Sequence, residues 1–469
     1  MSLAFLLLIV YSAALIGLGL WISRFVRDSS AFFVAGRSLT APLLFATVLA
    51  SNIGAGSTVG AAGLAYTDGI SAWWWNGASA IGSLVLAFWV GPKIWQIAST
   101  HNFYTAGDYL EFRYSAAVRG VIATLIWLGT LAILAGQLMA GAAVLNIVAG
   151  LPRWAGTAAS AAVMMVYFVA GGLLSSAWVN AVQLVVLVAG LLLAIPLGLA
   201  AVGGLDVVME GASVPAHFDQ FWYSSGPGSG WTRLILMGPA FIISPGLLQK
   251  AYGAASPRAI RIGLGWQALA LALFAFVPVL LGMMARAANP NITNPNLVLP
   301  SLLGEQLPPW LGALGLAAIF SAEVSTCDAI LFMLATSLSK DLYKRFVRPE
   351  ATDQQVLSVA RWAAVAGGVG GVVLALMLQT VQQALDIFYA LLTVSLMVPI
   401  VGGLYVRRAS TVHAFSAIIA GVTTLMVFRI FLAATSRWLD PTLWGLVAAV
   451  VAFGLTLALF PRRSSVPSS

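Results

Sequence analysis

The stretch TAPLLFATVLASNIGAGSTVGAAGL, residues 40–64, is apolar and long enough to cross a bilayer, yet its centre, Ser51-Asn52-Ile53-Gly54-Ala55-Gly56-Ser57, has the makeup of a loop. Glycine and short polar residues are poor helix formers. Irregular backbone at membrane depth survives only where protein buries it or where it lines a cavity. A second apolar stretch, 232–249, carries Gly238-Pro239-Ala240-Phe241-Ile242-Ile243-Ser244-Pro245-Gly246, and proline removes a helical hydrogen bond. Gly and Pro also occur in spans simply for close packing or a kink. It is the pairing of the two breaks that points to discontinuous helices and a binding site at the midplane.

Working outward, apolar stretches at about 3–22, 40–64, 70–91, 117–149, 153–173, 175–203, 232–249, 259–286, 309–339, 357–379, 384–405, 411–434 and 441–460 predict thirteen transmembrane helices. The chain is read as an all-α polytopic membrane protein. Its 469 residues are 60% apolar by the AVILMFWYC set and 8% charged, against roughly 25% charged in soluble proteins, which excludes a soluble enzyme. The broken spans lie five apart, so spans two to six and seven to eleven read as inverted repeats. The expected organisation is an extra N-terminal helix and loop at 1–39, a first repeat at 40–203, an outer loop at 204–231, a second repeat at 232–405 and two peripheral helices with a tail at 406–469. The single Cys327 and three histidines offer no disulfide and no metal-ligand or Cys/His catalytic spacing. With no His/Ser/Asp cluster either, the chain is not read as an enzyme. It also lacks the repeated filter or charge ring of an oligomeric pore.

The net charge of +8 is explained by topology. The first stretch has no basic residues before it, and Arg24 and Arg27 follow it, the reverse of a cleavable signal. This predicts a retained helix with its N-terminus outside and the C-terminus inside. Alternating sides then leaves only Arg153, Arg233, Arg286 and Arg437 outside and Arg429 within a span, with the remaining basic residues inside, as the positive-inside rule requires. Contact with anionic inner-leaflet lipid follows, and nucleic acid needs no invoking.

In the ninth span, Ala322, Ser325 and Thr326 stand at i, i+3 and i+4, so two hydroxyls and a helix carbonyl share one face. Serines and threonines in spans usually bond the i−4 carbonyl or a neighbouring helix; the same face resembles a site for a hard monovalent cation, which takes several oxygen ligands. Glu323 and Asp328 lie on opposite flanks of that face. Each is read as a protonatable group, a distant counter-charge or half of a pair with Arg429. Asp386, at a span start, is read as a helix cap.

The segments FFVAGRSL (32–39), ASNIGAGSTVGAAG (50–63), TAGDYLEFRY (105–114), the Gly171-Gly172 pair, LQKAYGA (248–254) and STCDAILFMLATSLSKDLYK (325–344) together resemble the sodium:solute symporter family, which includes sodium/proline, sodium/pantothenate and animal sodium/glucose cotransporters. The resemblance implies a leucine-transporter-type fold of five plus five inverted helices. It implies a Na⁺ site made by the carbonyls of Ala50, Ile53 and Ala322 and the hydroxyls of Ser325 and Thr326. A second sodium site in some members uses an aspartate in a TD-x-x-Q pattern; here Asn180 stands in its place, so one Na⁺ per solute is expected, with Asp328 a possible substitute ligand. In sugar carriers of the family a Glu in span three and an aromatic pair in span seven hold the sugar. The corresponding residues are Asn76 and Ala240-Phe241, although Asn52 matches the sugar carriers' asparagine. Substrate-lining candidates are Asn52, Ser57, Trp74, Asn76, Gln137, Phe241, Ser244, Tyr389 and Thr393, among which no basic residue is found; Trp74 equally suits an interfacial aromatic belt.

The expected function is Na⁺-coupled symport of a small organic solute into the cell by alternating access, an amino acid or carboxylate rather than a sugar. The chain is placed in the plasma (inner) membrane, with one copy sufficient. The alternative is a proton symporter using Glu323 or Asp328; a channel or transporter-like sensor is remote.

Overall fold

The computed structural model describes residues 3–23, 34–210, 214–226, 228–432 and 440–460, leaving out the side chains of 166–181, of Asp328 and of some positions in the first helix. Arg24, Arg27, Arg437, Arg462 and Arg463 therefore fall outside the described residues, as do the side chains of Asn180 and Asp328. The described residues are almost wholly helical.

Both expected breaks are present. The first broken helix runs as a first half, Ala41–Asn52, and resumes through Gly56–Gly60 into Ala61–Asp68. Its non-helical residue is Ile53, at φ −94° and ψ 81°. The second runs as Arg233–Ile243 and Pro245–Tyr252, hinged at Ser244 with ψ 124°; Pro245 opens the second half, where its missing N–H costs no helical bond. The two are antiparallel, because the end of the second half-helix meets the start of the first. Leu39 N–H donates to Gly253 O at 3.0 Å and Ala255 N–H to Leu39 O at 2.9 Å. Arg37 spans the same junction, donating to Tyr252 O, Ala98 O and Phe103 O.

Among the described residues ten helical stretches are long and apolar enough to cross a membrane, three fewer than expected. The break shortens Ala41–Asn52 below a full crossing, the first helix contributes only a short apolar piece, Phe5–Ala14, and Gly56–Thr100 counts as one stretch. Arg153–Val202 is assigned as one helix of 50 residues, about 75 Å if straight and over twice the hydrocarbon thickness. Arg153 bonds the carbonyls of Ala375 and Leu378, and Gly198 packs on Met284 and Leu307. Of this stretch, Val182–Val202 is among the ten.

Asp386 is not a cap. Thr380 caps the helix Val381–Tyr405, accepting from Gln383 N–H, because the helix begins a turn earlier than apolar patterning suggests. Asp386 instead pairs with Arg233 at 2.8 Å, and its carbonyl accepts from Arg429. Arg429 is thus engaged away from Glu323.

At the basic-rich end, Arg119 is the centre of an ion network with Asp108 (2.8 Å), Glu111 (3.0 Å) and Asp341 (2.7 Å), and Arg345 reaches Glu111 at 2.6 Å. The short helix Ala106–Arg113 that presents two of these acids starts with a capping box of Thr105 and Asp108. Removing the arginine strands Asp341, whose side chain is 5% exposed. Arg119→Met should therefore lower unfolding stability in detergent by about 3–5 kcal/mol. Arg345→Ala, at a side chain 44% exposed, should cost under about 1 kcal/mol. Thermal melts of the two variants check the ordering; equal effects would contradict it.

Candidate functional site

The first half of the first broken helix, Ala41–Asn52, makes its last regular bond from Ile53 N–H to Leu49 O. The next three carbonyls have lost their helical donors, and a hydroxyl takes each one. Ser325 donates to Ala50 O at 2.8 Å, Thr326 to Ser51 O at 3.0 Å and Ser57 to Asn52 O at 2.5 Å. Ser325 also reaches Ala322 O at 2.9 Å. On the far side of the break the orphan Ala55 N–H donates to Gln137 Oε1 at 2.8 Å.

Of the five predicted cation ligands, Ala50, Ala322 and Ser325 are thus brought into direct contact, and Thr326 lies beside them on the neighbouring carbonyl. Ile53 sits in the break, where its non-helical ψ turns the carbonyl off the helix axis. All five are buried. Neutral hydroxyls and carbonyls are the kind of donors a hard cation prefers. Close approach depends on Gly54, where a Cβ would stand 2.3 Å from Thr326 Oγ1 and 2.7 Å from Gln137 Oε1.

A cavity of about 50 Å³ lies between the two breaks. Six of the nine substrate candidates line it: Asn52, Ser57, Gln137, Phe241, Ser244 and Tyr389. Asn52 Nδ2 is buried with no hydrogen-bond partner among the described residues, and Phe241 and Tyr389 sit with ring centroids 5.6 Å apart. The other three do not line it. Trp74 bonds Phe221 O and meets the Trp222 ring at a tilt, Asn76 donates to Ser57 O, and Thr393 donates to Leu236 O. Their helix faces turn them to neighbouring backbone. Sequence reasoning missed Ser51, Met333 and Lys250 among the lining residues; LQKAYGA enters the sequence reading as a segment of family resemblance, with Lys250 counted among the basic residues of the inner side.

Glu323 lies outside this cavity. It is wholly buried, both carboxylate oxygens lack a partner among the described residues, and Oε2 faces the space beside Gly141, where Ser160 Oγ also lies.

A profile of the sodium:solute symporter family matches residues 32–421. The chain belongs to this family. It is 24% identical to the sodium/glucose cotransporter of Vibrio parahaemolyticus over 95% of this chain and 88% of the relative. It is 26% identical to the sodium/pantothenate symporter of Escherichia coli K12 over 88% of each. Among solved structures it resembles a Na⁺-coupled sialic acid symporter in a substrate-bound outward-open state, with a TM-score of 0.85 at 19% identity over 99% of both chains. It also resembles Mhp1, a nucleobase-cation-symport-1 family transporter, with a TM-score of 0.62 at 15% identity over 94% of this chain and 98% of that one. The all-helical fold is thus of the leucine-transporter type, and membership of the symporter family makes the chain an integral membrane transporter rather than an enzyme, with Na⁺ as the coupling ion.

Gly54→Ala should separate Thr326 from the break. Melting of the purified protein in NaCl and in choline chloride is the check: the Na⁺-dependent stabilisation expected of the parent should vanish in the variant. Full retention would show that the close approach at Gly54 is not needed.

Proposed function

We propose that this symporter carries a small organic solute into the cell with one Na⁺ per solute by alternating access. The observation that carries the reading is the meeting of Ser325 and Thr326 with the freed carbonyls of Ala50 and Ser51. Na⁺ would take oxygens from Ala50, Ile53, Ala322, Ser325 and Thr326, the hydroxyls turning their lone pairs inward. That ion steadies the broken helix against Pro309–Thr336 and so shapes the adjoining cavity. Coupling then follows because ion and solute favour one shared state. Residues 40–203 and 232–405 act as the two inverted repeats, with 1–39 and 406–469 peripheral and the chain in the plasma membrane, N-terminus outside.

An amino acid or carboxylate fits better than a sugar. Asn76, in place of the sugar carriers' acid, is spent on Ser57 O, and Ala240 does not line the cavity. Where the cycle moves one net charge, 100 mV supplies about 2.3 kcal/mol, enough for a roughly 50-fold solute gradient.

Uptake into liposomes of purified protein tests this. It should require inward Na⁺. Ser325→Ala and Thr326→Ala should each weaken Na⁺ dependence by roughly ten- to a hundredfold, the loss of a bond to a charged group worth about 1.5–3 kcal/mol. Uptake indifferent to Na⁺ and driven by a pH gradient would replace this reading with proton symport, for which buried Glu323 is the candidate.

A further inference from the structure

A furrow of about 350 Å³ runs along the surface of the bundle between residues 73–90 and the helix Pro257–Phe274. Its walls are Leu84, Phe88, Ile262, Trp266 and Leu269, all exposed, and Arg261 stands at one end. The volume falls in the range of roughly 300–1,000 Å³ that small-molecule sites occupy. Trp73 Nε1 donates to Ala272 O at 3.0 Å, and a Cβ on Gly91 would stand 3.0 Å from Ile260 Cγ2. The two helices thus stay together over this length, with the furrow on their shared exposed surface. Both lie in stretches long and apolar enough to span the membrane, Gly56–Thr100 and Pro257–Ala288. The second has 32 residues, about 48 Å if straight against a hydrocarbon layer of about 30 Å. That excess leaves room for its first turns, with Arg258 and Arg261, at the level of lipid headgroups.

Charge and shape here are complementary to one kind of molecule. Arg258 and Arg261 stand three residues apart on one helix face. Lys93, two residues beyond Gly91, is held over the Tyr405 ring at 3.9 Å at the same end. Residues 69–107 and 220–304 supply both walls and all three cations, and they contain no Asp or Glu. The positive-inside pattern explains basic residues anywhere at this end of the spans; Arg261 differs in lining a furrow. Cations at the head of an apolar furrow match an anionic headgroup joined to an acyl chain.

We propose that the furrow binds one anionic phospholipid, its acyl chain along Phe88 and Trp266 and its phosphate held by Arg258 and Arg261. The walls of this site also carry the broken helices. A Cβ on Gly82 would stand 2.3 Å from Gly238 O, in the first half of the second broken helix, and one on Gly263 would stand 2.9 Å from Ala41 O, at the start of the first. The lipid therefore lies between a helix seated on one broken helix and a helix seated on the other, without entering the central cavity.

Native mass spectrometry of the delipidated protein, titrated with phosphatidylglycerol or phosphatidylcholine of matched chains, tests this. The parent should hold one phosphatidylglycerol at least tenfold more tightly than phosphatidylcholine. A basic residue at the membrane surface is worth about fivefold, so Arg258→Gln/Arg261→Gln should weaken phosphatidylglycerol at least tenfold and remove most of the preference. Arg348→Gln/Arg361→Gln takes away as much exposed charge, from the helix Asp353–Met377 and the segment before it, and should change binding less than twofold. Gly265→Leu, which fills the furrow beside Phe88, should weaken both lipids at least fivefold. Soluble glycerophosphate, which has the headgroup chemistry without the chains, should not displace the lipid. Absence of a preference in the parent overturns the proposal. So does an equal loss in the two arginine pairs, which would reduce the effect to diffuse surface charge. Binding unchanged by Gly265→Leu takes the site away from the furrow, and displacement by glycerophosphate replaces the lipid with a soluble anion. If Gly265→Leu does not fold, the contrast between the two arginine pairs decides.

Discussion

Three backbone carbonyls, of Ala50, Ser51 and Asn52, reach the end of a half-helix inside the membrane with no helical donor to meet them. Water cannot be relied on there, so each must be satisfied by protein. The hydroxyls of Ser325, Thr326 and Ser57 do so. This requirement ties the first broken helix to Pro309–Thr336, fixes the need for glycine at position 54 and leaves a polar cavity beside the break. Hydrogen bonds from hydroxyls are modest in strength, and a cation can replace them with stronger contacts to the same oxygens. In the proposed cycle, that difference would let ion occupancy bias how the first broken helix sits against Pro309–Thr336.

The charged groups follow a complementary logic. Arg119 collects three acids at the basic-rich end, and Arg233 is held by Asp386 at the other. Between them, the described lining of the cavity combines neutral polar groups, apolar side chains and Lys250. The ammonium bonds the same half-helix whose carbonyls face Ser325 and Thr326, so it joins the two broken helices beside the first break.

The breaks were legible because glycine, proline and short polar residues interrupt an otherwise continuous apolar run, a signal that survives without tertiary information. The Ala322, Ser325 and Thr326 face was legible for the same kind of reason, since helix periodicity alone puts them together. Other features depended on register and packing. Trp74, Asn76 and Thr393 are polar residues in the correct spans, but their faces turn to Phe221, Ser57 and Leu236. Lys250 counts in the sequence only as a basic residue of the inner side, and the packing of Pro245–Tyr252 against Ala41–Asn52 is what brings it to the cavity. Asp386 was misjudged because helix starts are blurred in apolar sequence. The number of crossings depends on how broken helices such as Ala41–Asn52 with Gly56–Asp68 are counted, which hydropathy alone does not resolve.

The central claim is that a monovalent cation binds midway through the bilayer between a disrupted helix and a Ser-Thr pair. Anomalous diffraction from crystals soaked in thallium(I), an electron-dense stand-in for Na⁺, tests it most directly. The account predicts a peak enclosed by the oxygens of Ala50, Ile53, Ala322, Ser325 and Thr326 that fades as NaCl is added. Crystals that diffract well and show no density there, or show it only at another place in the molecule, would contradict it.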